Sequence, residues 1–247
     1  MIAIMSAMQE EVQALLQNLK NIAPVTKGMR TYYKGILFNK PVVIVFSRWG
    51  KVAASATATQ LINDFKVDEI IFTGVAGAIS PTLNIGDIVI GDKLYQHDMD
   101  ASPLYQKFEI PIHRKKYFSA KNNLRLVNAC DKFLENYGKY INKFDATSFN
   151  IYKPKILKGA IASGDRFIAS QSSIEELNNA LPNAVCVEME GAAVAQVCYE
   201  YEIPFSIIRI ISDKANDNAA IDFPKFANTI AGNYALGIFK NYFKELN

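Results

Sequence analysis

The segment Val187-Glu188-Met189-Glu190-Gly191-Ala192-Ala193 runs from the end of an apolar stretch into a helical pattern of small residues. Further along the chain, Arg209-Ile210-Ile211-Ser212-Asp213 ends a second apolar stretch in a hydroxyl and a carboxylate. Open α/β sheets bind their ligands beyond the carboxyl ends of the strands. The two segments therefore predict an α/β fold whose sheet carries carboxylates at one rim.

Short apolar stretches alternate with longer helical patterns along the rest of the chain. The predicted strands are Ile2–Ser6, Val42–Ser47, Glu69–Thr73, Asp87–Ile90, Ile156–Ala162, Ala184–Val187 and Phe205–Ile211, with Arg30–Phe38 forming a hairpin with the second of them. The predicted helices are Glu10–Leu19, Val52–Phe65, Asn122–Tyr137, Ser173–Ala180, Gly191–Tyr201 and Phe223–Leu246. This pattern predicts an α/β fold with a mixed sheet and helices on both sides.

Length and composition agree with one globular domain over residues 1–247. Half of the residues are hydrophobic and 21% are charged, and no shift in composition divides the chain. The net charge is only +3, and the densest basic run, residues 113–117, is short enough to be a solvated loop. No stretch of about twenty apolar residues offers a membrane span. Neither nucleic acid nor a membrane is therefore expected as a partner.

The cysteines and histidines argue against disulfide or metal chemistry. Cys130, Cys186 and Cys198 are unevenly spaced and are interpreted as reduced residues of a cytoplasmic protein. The first residues lack the basic start and the long apolar core of a signal peptide, which also favours the cytoplasm. His97-Asp98-Met99-Asp100 could hint at a metal, but one histidine with flexible acids makes a poor site, and His113 has no nearby partner ligands, so no metal is expected.

Two segments that follow early strands admit more than one interpretation. Glu10 and Glu11 lie after the first predicted strand, where they could simply complement a helix dipole or supply a general base. Spacing does not decide which of the two would be the base. The small residues of Thr73-Gly74-Val75-Ala76-Gly77-Ala78 would let a ligand approach the backbone closely. The segment lacks the pattern of a phosphate-binding or dinucleotide-binding loop, however, so a tight turn is predicted there.

Asp213 is the sharpest candidate for chemistry, although a carboxylate after a strand can also be a helix cap or a turn residue. Phe167, which follows another strand, could stack on a flat heterocycle or pack in the core. Glu11 and Glu190 also follow strands, so a shared sheet would bring all four residues to one rim. Carboxylates crowded at a half-buried rim have their pKa values pushed apart, which supplies one acid and one base.

Five collinear segments together resemble the family of 5'-methylthioadenosine/S-adenosylhomocysteine nucleosidases, within the purine nucleoside phosphorylase superfamily. They are Ala7–Val12, Thr73–Gly77, Ser163–Ile168, Val187–Ala192 and Arg209–Asp213. Any one of these segments is a weak signal, but five in order over nearly the whole chain are specific. The resemblance implies a three-layer α/β/α sandwich with a central mixed sheet, nucleoside phosphorylase-like, in a single nucleosidase domain. It also implies a homodimer that needs no cofactor.

The resemblance further implies hydrolysis of the N-glycosidic bond of 5'-substituted adenosines and a role for each matching residue. Glu11 would activate the attacking water, and Asp213 would protonate N7 of the purine. Glu190 would hold the ribose hydroxyls, with Met189 packed against the sugar, and Phe167 would stack on adenine. The other implied substrate contacts are the backbone of Ile168 and the residues Met8, Gly77, Arg209 and Ser212.

Three positions depart from the family pattern. Related phosphorylases carry an arginine and a serine for phosphate where this chain has Phe72 and Val75, which favours water as the nucleophile. Trp49 replaces a smaller aliphatic residue and either walls the ribose and 5'-substituent region or packs in the core or a dimer interface. The region 99–155 matches least well, so the preferred 5'-substituent is not predicted. A phosphate-dependent phosphorylase and a non-catalytic nucleoside-binding protein are the alternative functions.

Overall fold

Ten strands form one sheet in the computed structural model, which describes residues 1–216 and 218–245. They are β1 (Ile2–Ser6), β2 (Lys20–Lys27), β3 (Arg30–Leu37), β4 (Lys40–Phe46), β5 (Glu69–Ala78), β6 (Ile88–Gln96), β7 (Phe118–Ser119), β8 (Ile156–Ser163), β9 (Ala184–Glu188) and β10 (Phe205–Asp213). All nine residues of β10 are buried, as expected for an apolar strand covered on both faces.

The sheet is mixed, as predicted, and part of it closes on itself. β1 pairs in parallel with β4 and β5, while β2, β3 and β4 form an antiparallel edge. β5 also pairs with β10 and β9, and β10 continues through β6 and β8 back to β9. These five strands make a closed ring, which the alternation of apolar stretches did not predict.

Register within the ring brings several strand ends to one place. Asp213 lies opposite Gly77, and Gly77 lies opposite Val187. Ser163 at the end of β8 lies opposite Glu188 at the end of β9. The predicted meeting of strand ends at a single rim is therefore confirmed.

Helices cover both faces of the sheet and make three layers. The helices are α1 (Gln13–Gln17), α2 (Lys51–Phe65), α3 (Leu124–Leu134), α4 (Lys143–Ser148), α5 (Gln171–Ala180), α6 (Gly191–Glu200), α7 (Ala219–Phe226) and α8 (Gly232–Lys244). α2 and α6 pack on one face, and α1, α3 and α8 pack on the other. The predicted α/β/α sandwich is confirmed. No helix among the described residues is long and apolar enough to cross a bilayer.

The prediction of a tight turn at residues 73–78 is wrong, because β5 continues through Ala78. Small side chains in this segment allow β9 and β10 to approach β5 from its two sides. The segment contains two glycines, Gly74 and Gly77, and a side chain at either position would collide with a neighbouring carboxylate. An ideal Cβ on Gly74 would lie 2.8 Å from Glu11 Oε1, and one on Gly77 would lie 2.9 Å from Asp213 Oδ1. The glycines serve close approach rather than chain reversal.

The first and last predicted helices differ from the structure. α1 covers Gln13–Gln17 rather than Glu10–Leu19, because the Glu11 carboxylate bonds to backbone N–H groups of the preceding turn. The long terminal helix is divided into α7, a π-helical turn at Ala227–Ala231 and α8. Its predicted end at Leu246 lies outside the described residues. The strands β2 and β7 and the helix α4 were not predicted.

Candidate active site

An open cavity lies where the strand ends meet. Its walls carry most of the residues singled out in the sequence. Those that line it are Met8, Glu11, Trp49, Gly77, Phe167, Ile168, Met189, Glu190, Ser212 and Asp213. Arg209 is the exception among the predicted site residues.

Glu11 is held in the cavity by the turn that follows β1. Its Oε2 accepts the backbone N–H groups of Ala7 at 3.0 Å and Met8 at 2.9 Å, and its Oε1 accepts that of Val75 at 3.0 Å. Burial raises the pKa of Glu11 in spite of these bonds, which lower it. Glu10 is exposed, so the structure brings Glu11 rather than Glu10 to the cavity.

The close approach of Gly74 to Glu11 predicts the effect of a single added methyl group. Gly74→Ala should push the Glu11 carboxylate from its place and lower adenine release about 10–100-fold, since a small misplacement of a reacting group is costly. Steady-state kinetics on the purified variant would measure this. Gly138→Ala is the matched control, because nothing lies within 4 Å of the added Cβ there. Equal activity of the two variants would contradict the prediction.

Asp213 ends β10 and is 3% exposed. Its Oδ2 accepts the Ser212 hydroxyl at 2.7 Å, and its Oδ1 accepts the N–H of Ala215 at 2.7 Å. Burial raises the pKa of Asp213 above its ordinary value, although both hydrogen bonds lower it. Asp213 is thus a turn residue and a cavity carboxyl at once, and its raised pKa suits a proton donor.

Glu190 precedes α6 and points its carboxylate into the same cavity. Its Oε1 accepts the N–H of Gly50 at 2.8 Å. Burial and the neighbouring charge of Glu188 raise the pKa of Glu190 to about 8, while the Gly50 bond and Arg209 lower it. The carboxylate can accept hydrogen bonds from a polyol ligand once it is ionised.

Aromatic side chains form one side of the cavity. Phe167 and Trp49 are 45% and 58% exposed, so neither is a core residue. Both contact Phe223 of α7, with ring centroids 5.8 Å and 6.0 Å apart respectively. Phe223 was not predicted as a site residue, because the predicted terminal helix begins there with no reason to lie near the strand ends. Its aromatic side chain, on the helix that follows β10, was the available signal.

Arg209 does not line the cavity, contrary to its expected place among the substrate contacts. Its guanidinium is 1% exposed and forms an ion pair with Glu188, with Nη2 at 2.6 Å from Oε2. It also lies over the Phe72 ring, 4.2 Å from the centroid. The guanidinium therefore lies against Glu188 and the Phe72 ring, beneath the cavity wall.

The two histidines lie outside the cavity wall. His113 pairs with Glu200 at 2.9 Å, and His97 packs against the Gly164 turn. Within residues 1–216 and 218–245, no group of three or more His, Cys, Asp and Glu side chains could hold a metal ion. The three cysteines are free and buried.

A family model described as the phosphorylase superfamily matches residues 1–244 of the chain. This match spans the closed ring, both helical layers and every residue of the cavity. The match therefore assigns this protein, with its mixed, partly closed sheet and a cavity at the strand ends, to the phosphorylase superfamily.

Individual relatives narrow the class. A 5'-methylthioadenosine/S-adenosylhomocysteine nucleosidase of Staphylococcus aureus (strain bovine RF122 / ET3-1) is 38% identical over 232 residues, 94% of each chain. The nucleosidase of the same name from Colwellia psychrerythraea 34H, solved in complex with adenine, has a TM-score of 0.86 at 30% identity, covering 99% of this chain and 95% of that one. The futalosine hydrolase of Helicobacter pylori strain 26695 has a TM-score of 0.82 at 30% identity, with coverages of 99% and 97%. The chain therefore belongs to the phosphorylase superfamily and, within it, to the family of 5'-methylthioadenosine/S-adenosylhomocysteine nucleosidases.

Proposed function

We propose that this protein hydrolyses the N-glycosidic bond of 5'-methylthioadenosine, S-adenosylhomocysteine and related 5'-substituted adenosines, releasing adenine and the thioribose. The observation that carries the proposal is that the buried carboxyl groups of Glu11, Glu190 and Asp213 lie in the wall of one cavity. Family membership agrees with this chemistry.

The proposed roles follow from the charges that develop during the reaction. Adenine is a poor leaving group until its ring accepts a proton, so a protonated Asp213 beside N7 would assist its departure. The ribosyl fragment gains positive charge as it leaves, and the carboxylates of Glu11 and Glu190 would stabilise that charge. Glu11 would also take the proton of the attacking water. Phe167 would stack on the adenine, with Met8 and Met189 beside the sugar.

Water is the proposed nucleophile in preference to phosphate. Phe72 is fully buried beneath Arg209, and Val75 presents an apolar side chain to the cavity. Among the described residues of the cavity wall, Arg166 is the one cationic side chain, and it bonds to the Ser173 hydroxyl at 2.9 Å. A wall rich in carboxylates disfavours an anion, since like charges repel at close range.

An adenine-release assay with 5'-methylthioadenosine, run with and without phosphate, tests the proposal. Hydrolysis predicts equal rates in both conditions and a free reducing sugar as the second product. A rate that depends on phosphate would identify a phosphorylase, and binding without adenine release would identify a nucleoside-binding protein. Repeating the assay with S-adenosylhomocysteine, 5'-deoxyadenosine and aminofutalosine would rank the substrates.

Glu190→Gln should weaken both binding and turnover, because a carboxylate that accepts ribose hydroxyl bonds acts partly in the ground state. A 2'-deoxy substrate should then lose little further activity in the variant. If the substitution and the 2'-deoxy substrate instead lower activity by independent factors that multiply, Glu190 does not hold the 2'-hydroxyl.

The unfolding temperature of the Glu190→Gln variant is the control for its stability. The raised pKa of Glu190 makes its ionisation destabilising as pH rises from about 4.5 to about 8, so the variant should be at least as stable as wild type at pH above about 8.

Trp49 provides a spectroscopic prediction, because it is the single tryptophan of the chain. Its ring lines the cavity and contacts Phe223, so a 5'-thioadenosine analogue should change its fluorescence on binding. Trp49→Ile should widen the cavity and shift relative kcat/KM about tenfold or more towards bulkier 5' groups, because a difference of one methylene in an apolar pocket typically changes specificity by about 10–200-fold. Unchanged emission at saturating ligand with an unchanged substrate ranking would assign Trp49 a structural role.

We also propose a cytoplasmic homodimer that acts in methionine salvage. Support for the dimer comes from exposed apolar side chains, with Val52, Leu104 and Ile112 at 81%, 84% and 93% exposure. Support for a reducing compartment comes from the three free, buried cysteines. Analytical ultracentrifugation should give the mass of two chains, and a single-chain mass at micromolar concentration would contradict the dimer.

A further inference from the structure

Glu188 has no part in the chemistry proposed above, yet its carboxylate is the most heavily bonded acid near the cavity. Its Oε2 accepts Nε and Nη2 of Arg209 at 3.2 and 2.6 Å. Its two oxygens also accept the N–H of Glu190 at 3.1 Å, the N–H of Gly191 at 3.0 and 2.8 Å, and the hydroxyl of Ser163. This carboxylate thus joins β8, β9 and β10 to the start of α6.

These bonds replace the usual cap of α6. The first N–H groups of a helix have no partner within it, and the residue directly before the helix normally accepts one of them. Glu190 occupies that position but makes no side-chain bond to the helix. Glu188 accepts the N–H groups of Glu190 and Gly191 instead, and the Ser163 hydroxyl oxygen accepts that of Ala192 at 2.8 Å. The Glu190 carboxylate is therefore free to turn into the cavity.

Glu188 also anchors a buried cation beneath the site. The Arg209 guanidinium is fixed by Glu188 and by the carbonyl groups of Phe72 and Ile208, at 3.1 and 2.9 Å from Nη1. Removing the counter-ion of a buried cation strongly destabilises the folded protein. The positive charge of Arg209 acts on the cavity carboxyls, since it lowers the pKa of Glu11 and that of Glu190.

We propose that Glu188 is a positioning residue for the hydrolysis: it caps α6 and anchors Arg209, and it thereby leaves Glu190 facing the substrate in a defined electrostatic environment. This inference rests on the proposed function. The charged groups around the Glu190 carboxylate are Glu188 and Glu11, which raise its pKa, and Arg209, which lowers it. Of these three charges, that of Glu188 has the largest effect on Glu190. Neutralising Glu188 should therefore let Glu190 ionise at lower pH.

The test compares Glu188→Gln with Ser163→Ala, which removes a bond to Glu188 but no charge. The affinity of each protein for 5'-methylthiotubercidin, a non-cleavable analogue, is titrated from pH 5 to about 9.5, with adenine as the ligand that lacks ribose. In wild type, nucleoside affinity should rise as Glu190 ionises near its pKa of about 8. Glu188→Gln should move this rise to lower pH by about one unit or more, as expected for one lost charge at close range. Ser163→Ala should lower the unfolding temperature but leave unchanged the pH at which nucleoside affinity increases. The affinity for adenine should show no such increase with pH.

A midpoint in Glu188→Gln equal to that of wild type, with a loss of stability like that of Ser163→Ala, would overturn the proposal. If Glu188→Gln does not fold, the double variant Glu188→Gln/Arg209→Met removes both buried charges, a change that proteins often tolerate. Its midpoint should move in the same direction by a smaller amount, because Glu188 acts on Glu190 more strongly than Arg209 does. A midpoint that stays or rises would again overturn the assignment. Failure of wild type to release adenine would instead defeat the proposed function.

Discussion

Asp213→Asn is expected to lower turnover by about 10²–10⁴-fold while the protein remains folded, because the loss of a general acid has this typical effect. The corresponding increase in the activation barrier is about 3–5 kcal/mol. The amide can still accept the N–H of Ala215 through its oxygen, and its NH₂ group can donate to the Ser212 hydroxyl, so the local turn should survive. Single-turnover adenine release would separate the chemical step from product dissociation.

Asp87→Asn is the matched control for this prediction. Asp87 is likewise buried and accepts two backbone N–H groups, those of Asn84 at 2.8 Å and Lys155 at 2.9 Å, but it does not line the cavity. This control should alter stability and leave turnover per folded molecule close to that of wild type. Near wild-type turnover of a folded Asp213→Asn variant would remove Asp213 from the mechanism.

Much of the fold follows from hydrophobic periodicity. The strands β1, β8, β9 and β10 and the helices α2 and α6 begin and end within a few residues of their predicted limits, since each combines a clear period with a clear boundary. β2 was missed because it is an exposed edge strand whose residues are mostly polar or solvent-facing. The ring closure could not be predicted, because it depends on which distant strands pair and not on the pattern of any one strand.

The candidate site was predictable in its residue types and less so in its arrangement. Glu190 and Asp213 were predicted correctly as rim residues from their positions after predicted strands, because strand ends gather at one edge of a sheet. Spacing alone did not decide between Glu10 and Glu11, since both follow the same strand; the family resemblance indicated Glu11, and the burial of Glu11 beside an exposed Glu10 agrees with it. Glu188 shows the limit most clearly, because its hydrogen-bond partners come from three other elements, β8, β10 and α6, that no local pattern brings together.

The second prediction with a large expected effect concerns Glu11, the proposed general base. Glu11→Gln should suppress adenine release by about 10²–10⁴-fold, the usual effect of losing a general base, while adenine still binds. The side-chain amide of this variant keeps one oxygen for the N–H groups of Ala7 and Met8, so the turn after β1 should hold.

Glu10→Gln is the decisive comparison for this prediction, because Glu10 is adjacent in sequence but exposed and absent from the cavity wall. Burial raises the pKa of Glu11, and a base must be ionised to act, so wild-type turnover should rise with pH as this group loses its proton. That rise should persist in Glu10→Gln and disappear from the residual activity of Glu11→Gln. An inactive Glu10→Gln beside an active Glu11→Gln would reverse the assignment. Loss of the rise in Glu11→Gln alone would identify the Glu11 carboxylate as the group that takes the proton from water.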